Sequence, residues 1–301
     1  MQDRRLLLVH AHPDDETITC GATMARYAAG GAAVTLVTCT AGDEGEVLVP
    51  ELAHLDSAHD DALGPYRMVE LERAMAALGV EDHRWLGGQG RYRDSGMVWR
   101  ADGRAGPPER LRAGAFWAAD LQEAADHLVP VLREARPQVV VTYDDGGGYG
   151  HPDHVQAHRV TTYALALAAA PSYRPDLGAP WSVSKVYWTA VPRSVVEAGA
   201  DRVRAGGAPF RSVPAHELPY GVPDEWVTTA VDGTDRLAAK TAALRAHATQ
   251  VVVHEPFFAL SNEVGQVITG VEHFRLVHGE PGPPDPATGL EGDLFAGVTR
   301  P

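Results

Sequence analysis

Cysteine is nearly absent. Cys20 and Cys39 are the two cysteines in 301 residues, so no disulfide framework can be read and a small disulfide-stapled fold is excluded. Two reduced thiols suit a cytoplasmic protein, and that is the expected location. Long apolar runs are missing as well. Nothing approaches the ~20 residues of a membrane-spanning helix. The first apolar run stops at Val9, too soon for a signal peptide, which also needs a small-residue cleavage site. Positive charge is scarce: 26 Lys and Arg stand against 40 Asp and Glu, a formal net charge of −14. An acidic surface disfavours nucleic acid and anionic membrane as partners, because both select cations. No internal repeat is visible.

The glycine-rich fingerprint of a dinucleotide site is also lacking. The turn after the first strand reads Ala11-His12-Pro13-Asp14-Asp15-Glu16, whose acids would repel a pyrophosphate. A nucleotide-dependent oxidoreductase is therefore disfavoured.

About 45% of the chain is apolar, which supports a sizeable core. Residues 5–10 carry Leu6, Leu7, Leu8 and Val9 in a row, the pattern of a buried parallel strand. A helix is expected over 16–29, closed by Gly30-Gly31, and a second strand over 34–40. That unit has the length of a βαβ crossover. Residues 41–59 read as a polar loop. Met68, Leu71, Met75 and Leu78 share one helix face, and a short strand follows at 83–86. Residues 87–115, rich in Gly, Arg and Pro, read as a lid or binding loop. Leu121, Ala125, Leu128 and Leu132 mark a helix, 138–143 a buried strand, 144–150 a Gly-rich loop, 152–170 a helix and 185–190 a strand. Beyond Val191 the pattern weakens to a helix near 234–248 and an exposed Pro-rich stretch at 281–286. Alternating strands and helices predict an α/β fold, Rossmann-like, with a mostly parallel sheet and helices on both faces. The expected division is a catalytic core over 1–195 and a smaller C-terminal portion over 196–301 that completes the substrate pocket within one compact unit.

Two clusters fall at predicted strand ends, where such sheets bind ligands. One is His10-Ala11-His12-Pro13-Asp14-Asp15-Glu16; the other is Tyr149-Gly150-His151-Pro152-Asp153-His154. Pro and Asp at a helix start are ordinary capping chemistry. Two His-Pro-Asp turns at the same sheet edge are not, and imidazoles converging with a carboxylate suit zinc. Spacing alone leaves His10 and His158 as competing ligands, and Glu16 as either a helix cap or a partner for an imidazole.

These motifs resemble the metal-dependent de-N-acetylases of the N-acetylglucosaminyl-phosphatidylinositol de-N-acetylase type. Further stretches, Thr38–Val47, Gly64–Arg67, Arg93–Met97 and Ala246–Gln250, resemble an actinobacterial branch of that family which removes acetate from N-acetylglucosaminyl-inositol in mycothiol biosynthesis. The resemblance implies a zinc-dependent amide hydrolase, with one Zn2+ (or Fe2+) per chain held by His12, Asp15 and His154. It implies Asp14 as general base, His151 as helper of the oxyanion or leaving amine with Asp153 orienting it, and Tyr149 near the carbonyl oxygen. Arg67 and Asp94, with the loop acid Glu46, are the expected substrate contacts. The substrate would be a small amino sugar; no protein partner is indicated. A sibling amidase cleaving mycothiol conjugates, or a natural-product deacetylase, would share the metal site. Whether His151 or Asp14 protonates the leaving amine is open.

Overall fold

The computed structural model describes residues 3–298. In chain order its elements are β1 (Arg5–His10), α1 (Asp15–Ala29), β2 (Ala33–Thr38), α2 (Leu63–Leu78), β3 (Asp82–Trp85), β4 (Val98–Trp99), β5 (Ala105–Gly106), α3 (Leu121–Ala135), β6 (Val139–Thr142), α4 (Pro152–Ala169) and β7 (Lys185–Ala190). Then follow α5 (Arg193–Ala205), β8 (Thr229–Asp232), α6 (Leu237–Ala246), β9 (Val252–His254), β10 (Phe257–Ala259), β11 (Gln266–Val267) and β12 (Val271–His278).

The central sheet has seven strands in the order β3-β2-β1-β6-β7-β12-β8. Strands β3, β2, β1, β6 and β7 run parallel, while β12 is antiparallel to both its neighbours. The fold is therefore α/β with a mostly parallel sheet. Leu7 and Val9 face one core layer with Val37 and Val140; Leu6 and Leu8 face the other with Leu36 and Val141. Burial on both faces explains why these strands read as continuous apolar runs rather than alternating ones.

The order of the strands positions the site. The chain steps from β1 through β2 to β3 on one side, then crosses back by α3 to set β6 on the other side of β1. From β1 the chain goes on to β2 on one side and from β6 to β7 on the other, the reversal that opens a ligand-binding crevice in sheets of this type.

The C-terminal third differs from its expected weak pattern. It supplies β8 and β12 to the central sheet, a helix α5 that was not anticipated, and a small antiparallel sheet β9–β11. Residues 281–286 are mostly exposed, as expected, yet the chain then returns to bury Leu294 and Phe295 against Tyr27. The chain has two lysines, and both are buried and paired with glutamates. Lys240 Nζ donates to Glu272 Oε1 (2.7 Å) and Ile18 O (2.9 Å), and Glu272 also accepts from the amides of Ala22 and Thr23. Lys185 pairs with Glu291, which also accepts from Tyr187 and Thr229. Buried charges survive only with such full pairing. These two knots fasten the C-terminal third to α1 and β7. Both cysteines are buried and free. Among the described residues, no helix is long and apolar enough to cross a membrane.

Candidate active site

The loop after β1 and the loop after β6 meet above the crevice, and the two His-Pro-Asp turns face each other there. Asp14 caps α1, its carbonyl accepting from the amides of Thr17 (3.0 Å) and Ile18 (2.9 Å). Its φ of 121° is a costly backbone state for a non-glycine residue. Glu16 holds it there: Glu16 Oε2 accepts from Asp14 N (3.0 Å), and Glu16 Oε1 lies 3.0 Å from His247 Nε2. Glu16 and His247 are both fully buried. Glu16 is thus neither a solvated cap nor a partner for a ligand imidazole; it reaches into the Ala246–Gln250 segment after α6.

Asp15 sits at the centre. Its Oδ2 accepts from His12 N (2.9 Å) and Tyr143 Oη (2.8 Å), and lies 3.1 Å from His12 Nδ1 and 3.3 Å from His154 Nε2. Burial pushes this carboxyl up, but the His154 and His12 rings outweigh burial and hold it well below the usual carboxylate range. His154 Nε2 is buried and makes no aligned hydrogen bond, an omission that costs about 1–3 kcal/mol unless something else occupies that nitrogen. Ligand atoms on a tetrahedral zinc at ~2.0–2.2 Å lie about 3.3 Å apart. The spacings of Asp15 to His12 and to His154 match that value, and the charge of the cluster also suits a metal. His12 stands among Asp15, Asp94 and Asp153, and these carboxylates raise it well above its ordinary value against the opposing effect of burial. A divalent cation neutralises that surplus. Two trios have ligand atoms within 4.8 Å of one another: His12, His151 and His154, and His12, Asp94 and Asp153.

His151 departs from expectation in one respect. Asp153 was expected to orient its ring. The Asp153 carboxylate instead accepts from Ser95 N (2.9 Å) and Ser95 Oγ, and lies 3.3 Å from His12 Nε2. The His151 ring caps α4, its Nδ1 accepting from Asp153 N at 3.2 Å. Burial, with the His12 and His154 rings, pushes His151 well below its ordinary value. With Nδ1 used as acceptor, the neutral ring carries its proton on Nε2. Because Pro152 starts α4, Asp153 falls in the first turn and points at the 94–95 loop, away from the His151 ring.

Burial raises Asp14 to about 6 against the pull of the Arg67 guanidinium, whose Nη2 lies 3.1 Å from Asp14 Oδ2. Arg67 lines the cavity but is not free: it also donates to Gly42 O (2.9 Å) and Pro13 O. Asp94 is likewise on the cavity wall and occupied, accepting from Gly96 N at 2.9 Å and lying 3.5 Å from His12 Nε2. Glu46 is exposed at the same cavity, its carbonyl bound by Gln250 Nε2 (3.0 Å). Tyr149 stands with its ring 5.2 Å from that of His154. The competing histidines lie outside: His10 Nδ1 is 3.3 Å from Tyr143 Oη, and His158 Nδ1 is 3.1 Å from Tyr143 O.

Sequence reading missed Tyr143, which anchors Asp15 and stacks on His154 at 4.2 Å. Its signal was its place, one residue beyond β6. It also gave no role to Ser95 or His247, although both lie in the quoted motifs.

The cavity over this floor measures about 1110 Å³. Residues from α5, the 210–223 segment and the 258–273 region form its far wall.

Residues 7–165 match the family described as PIG-L: GlcNAc-PI de-N-acetylase. The chain belongs to that family. A 1D-myo-inositol 2-acetamido-2-deoxy-alpha-D-glucopyranoside deacetylase from Streptomyces avermitilis is 60% identical over 99% of this chain and 98% of its own. Among solved structures, an N,N'-diacetylchitobiose deacetylase from Pyrococcus horikoshii is similar with a TM-score of 0.56 at 19% identity, covering 91% of this chain and 84% of its own. A 4-carboxy-2-hydroxymuconate hydratase from Pseudomonas putida is similar at 0.54 and 21%, covering 82% and 80%. The fold alone therefore does not name the reaction; the site and the full-length relative must.

Proposed function

We propose that this protein is a zinc-dependent deacetylase that hydrolyses the N-acetyl amide of 1D-myo-inositol 2-acetamido-2-deoxy-alpha-D-glucopyranoside, giving acetate and the free amine, as a cytoplasmic step of mycothiol biosynthesis. One observation carries the reading: a relative named for that reaction matches 99% of the chain at 60% identity. The unpaired His154 Nε2 beside Asp15 and His12 supports its metal dependence.

His12, Asp15 and His154 hold the metal, preferred over the three-histidine set because Asp15 supplies the negative charge a dication favours. Iron(II) is the alternative that two histidines and a carboxylate accept. The bound ion supplies a Lewis acid and an activated water. Asp14, next to Asp15 and tied by Arg67, takes the proton from the attacking water. Its burial keeps a carboxylate basic enough to do so. The neutral His151, with Nε2–H as donor, and the Tyr149 hydroxyl stabilise the oxyanion of the tetrahedral intermediate. With His151 held neutral, the proton stored on Asp14 is the one returned to the leaving amine. Asp153 orients His12 rather than His151. Arg67, Asp94 and Glu46 face the sugar from the cavity wall, the first two also fixing Asp14 and His12. The 1–195 core carries the chemistry, and 196–301 closes the cavity.

The test is acetate release by the zinc-loaded protein from N-acetylglucosaminyl-inositol, N-acetylglucosamine and a mycothiol conjugate. The first should react with the highest kcat/KM; preference for the conjugate would make the protein an amidase instead. His154→Ala should lose the metal. Asp14→Asn and His151→Ala should keep it and lose about 10²–10⁴-fold in rate. Loss of metal from His151→Ala would assign the three-histidine set.

A further inference from the structure

Trp99 and Trp226 are the two most exposed large hydrophobic residues among those described, at 53% and 47%. Both line the cavity that holds the catalytic cluster. Leaving an indole half in water forgoes much of the burial that usually stabilises it. The Arg275 guanidinium lies 4.7 Å over the Trp226 ring, so of the two it is Trp99 that points to a ligand covering it.

Trp99 is not on a loose loop. It ends β4, paired with β5 in the register Trp99↔Ala105. The hairpin is closed by Arg100 N to Arg104 O at 2.8 Å. It docks on the Gly-rich loop through Ala105 N to Tyr149 O (3.0 Å), and Arg104 Nη2 donates to Gly146 O (3.2 Å) and Gly148 O (3.0 Å). The approach is so close that a Cβ on Gly150 would stand 2.6 Å from Ala105 O. Trp99 is thereby fixed relative to Tyr149, with ring centroids 6.1 Å apart and planes 35° apart. Tyr149 in turn lies 5.2 Å from His154. Tyr149 thus touches both the Trp99 and the His154 rings, which places Trp99 one ring contact beyond the histidine.

We infer that Trp99 is a stacking platform for the second ring of the substrate, the polyol joined to the reacting amino sugar, and so determines specificity for the disaccharide over the single sugar. The inference rests on the deacetylase reading above. A myo-inositol ring carries most of its hydroxyls equatorially and presents axial C–H groups on its face. Those hydrogens meet the electron-rich face of an indole favourably, while the hydroxyls remain at the rim for water or polar side chains. The reacting ring, held over His154, gains little from Trp99. The second ring, further out, gains most.

The experiment compares the full-length zinc-loaded protein with Trp99→Ala and Trp99→Phe, measuring kcat and KM for N-acetylglucosaminyl-inositol and for N-acetylglucosamine. The preference for the disaccharide should fall about 10-fold in Trp99→Ala, through KM rather than kcat. One metal per chain should be retained, and Trp99→Phe should recover most of the loss. Equal losses on both substrates, or an intact preference, would overturn the inference. Calorimetric binding of the same two sugars to the metal-free chains reads Trp99 without turnover. If the wild-type protein binds the disaccharide more tightly and Trp99→Ala does not, the platform stands even where acetate release fails, and only the deacetylase reading falls. If the two proteins bind with the same preference, the platform falls.

Discussion

Glu16→Ala is the substitution that tests whether the strained Asp14 is held from behind. The Glu16 carboxylate is fully buried and accepts from Asp14 N at 3.0 Å, from Thr17 Oγ1, and from His247 Nε2 at 3.0 Å. Truncation leaves the Asp14 amide without a partner and the His247 ring with only the Thr17 hydroxyl, 3.4 Å away. Each buried unsatisfied group costs about 1–3 kcal/mol, so the variant should lose about 3–5 kcal/mol in chemical denaturation. Asp14 at φ 121° stores about 1–3 kcal/mol of strain. Once the bond to its amide is gone, the backbone relaxes and the carboxylate leaves its place beside Asp15. The kcat for acetate release should fall about 10–10²-fold with KM little moved, because the loss is in the chemical step. Glu16→Gln keeps an oxygen for Asp14 N and can present its amide to a neutral His247, so it should recover most of both losses. The reasoning is refuted if Glu16→Ala costs under about 1 kcal/mol at full kcat. It is also refuted if metal content falls in step with kcat, since Glu16 would then serve the ligands and not the base.

Three further outcomes are expected. Lys240→Ala strands the Glu272 carboxylate beside α1, and should cost about 3–5 kcal/mol by denaturation, whereas the double change Lys240→Met with Glu272→Leu should recover much of it; equal losses would show the charge is not the cause. Burial raises Asp14 from 3.8 to about 6, so its contribution to stability is complete below pH ~4 and is lost as pH rises through about 6, by up to about 3 kcal/mol. Metal-free Asp14→Asn should lack that slope in a pH series of melting curves. Chelating the metal should lower Tm and abolish acetate release, and returning zinc should restore both and move the Asp14 midpoint down, because a nearby cation favours the carboxylate; a chelated protein that still released acetate would end the metal reading.

The strands β1, β6 and β7 and the helices α1, α2, α3 and α4 were legible because each carries a local signal. Valines and leucines in an unbroken run, apolar residues every third or fourth position, and a proline at a helix start are set by neighbours in sequence. The two His-Pro-Asp turns were legible for the same reason, and the strand-end rule placed them on one edge. Beyond Val191 the helix near 234–248, which is α6 (Leu237–Ala246), and the exposed 281–286 stretch were legible, and the strands and α5 were not. Strands β8 and β12 are short or interrupted by polar residues, and they form by pairing with β7 and with each other across the chain. The partners inside the site were also beyond local pattern. Asp153 could have served His151, two residues before it, yet it serves His12 and Ser95, because α4 begins at Pro152 and turns its carboxylate toward the 94–95 loop. Glu16 and His247, 231 positions apart, meet only when α6 packs on α1. Sequence by itself determined which clusters gather at the sheet edge, since buried strands and His-Pro-Asp turns are written in neighbouring residues. Tertiary structure decided which carboxylate faces which imidazole, because those pairings depend on where distant helices start and how they pack.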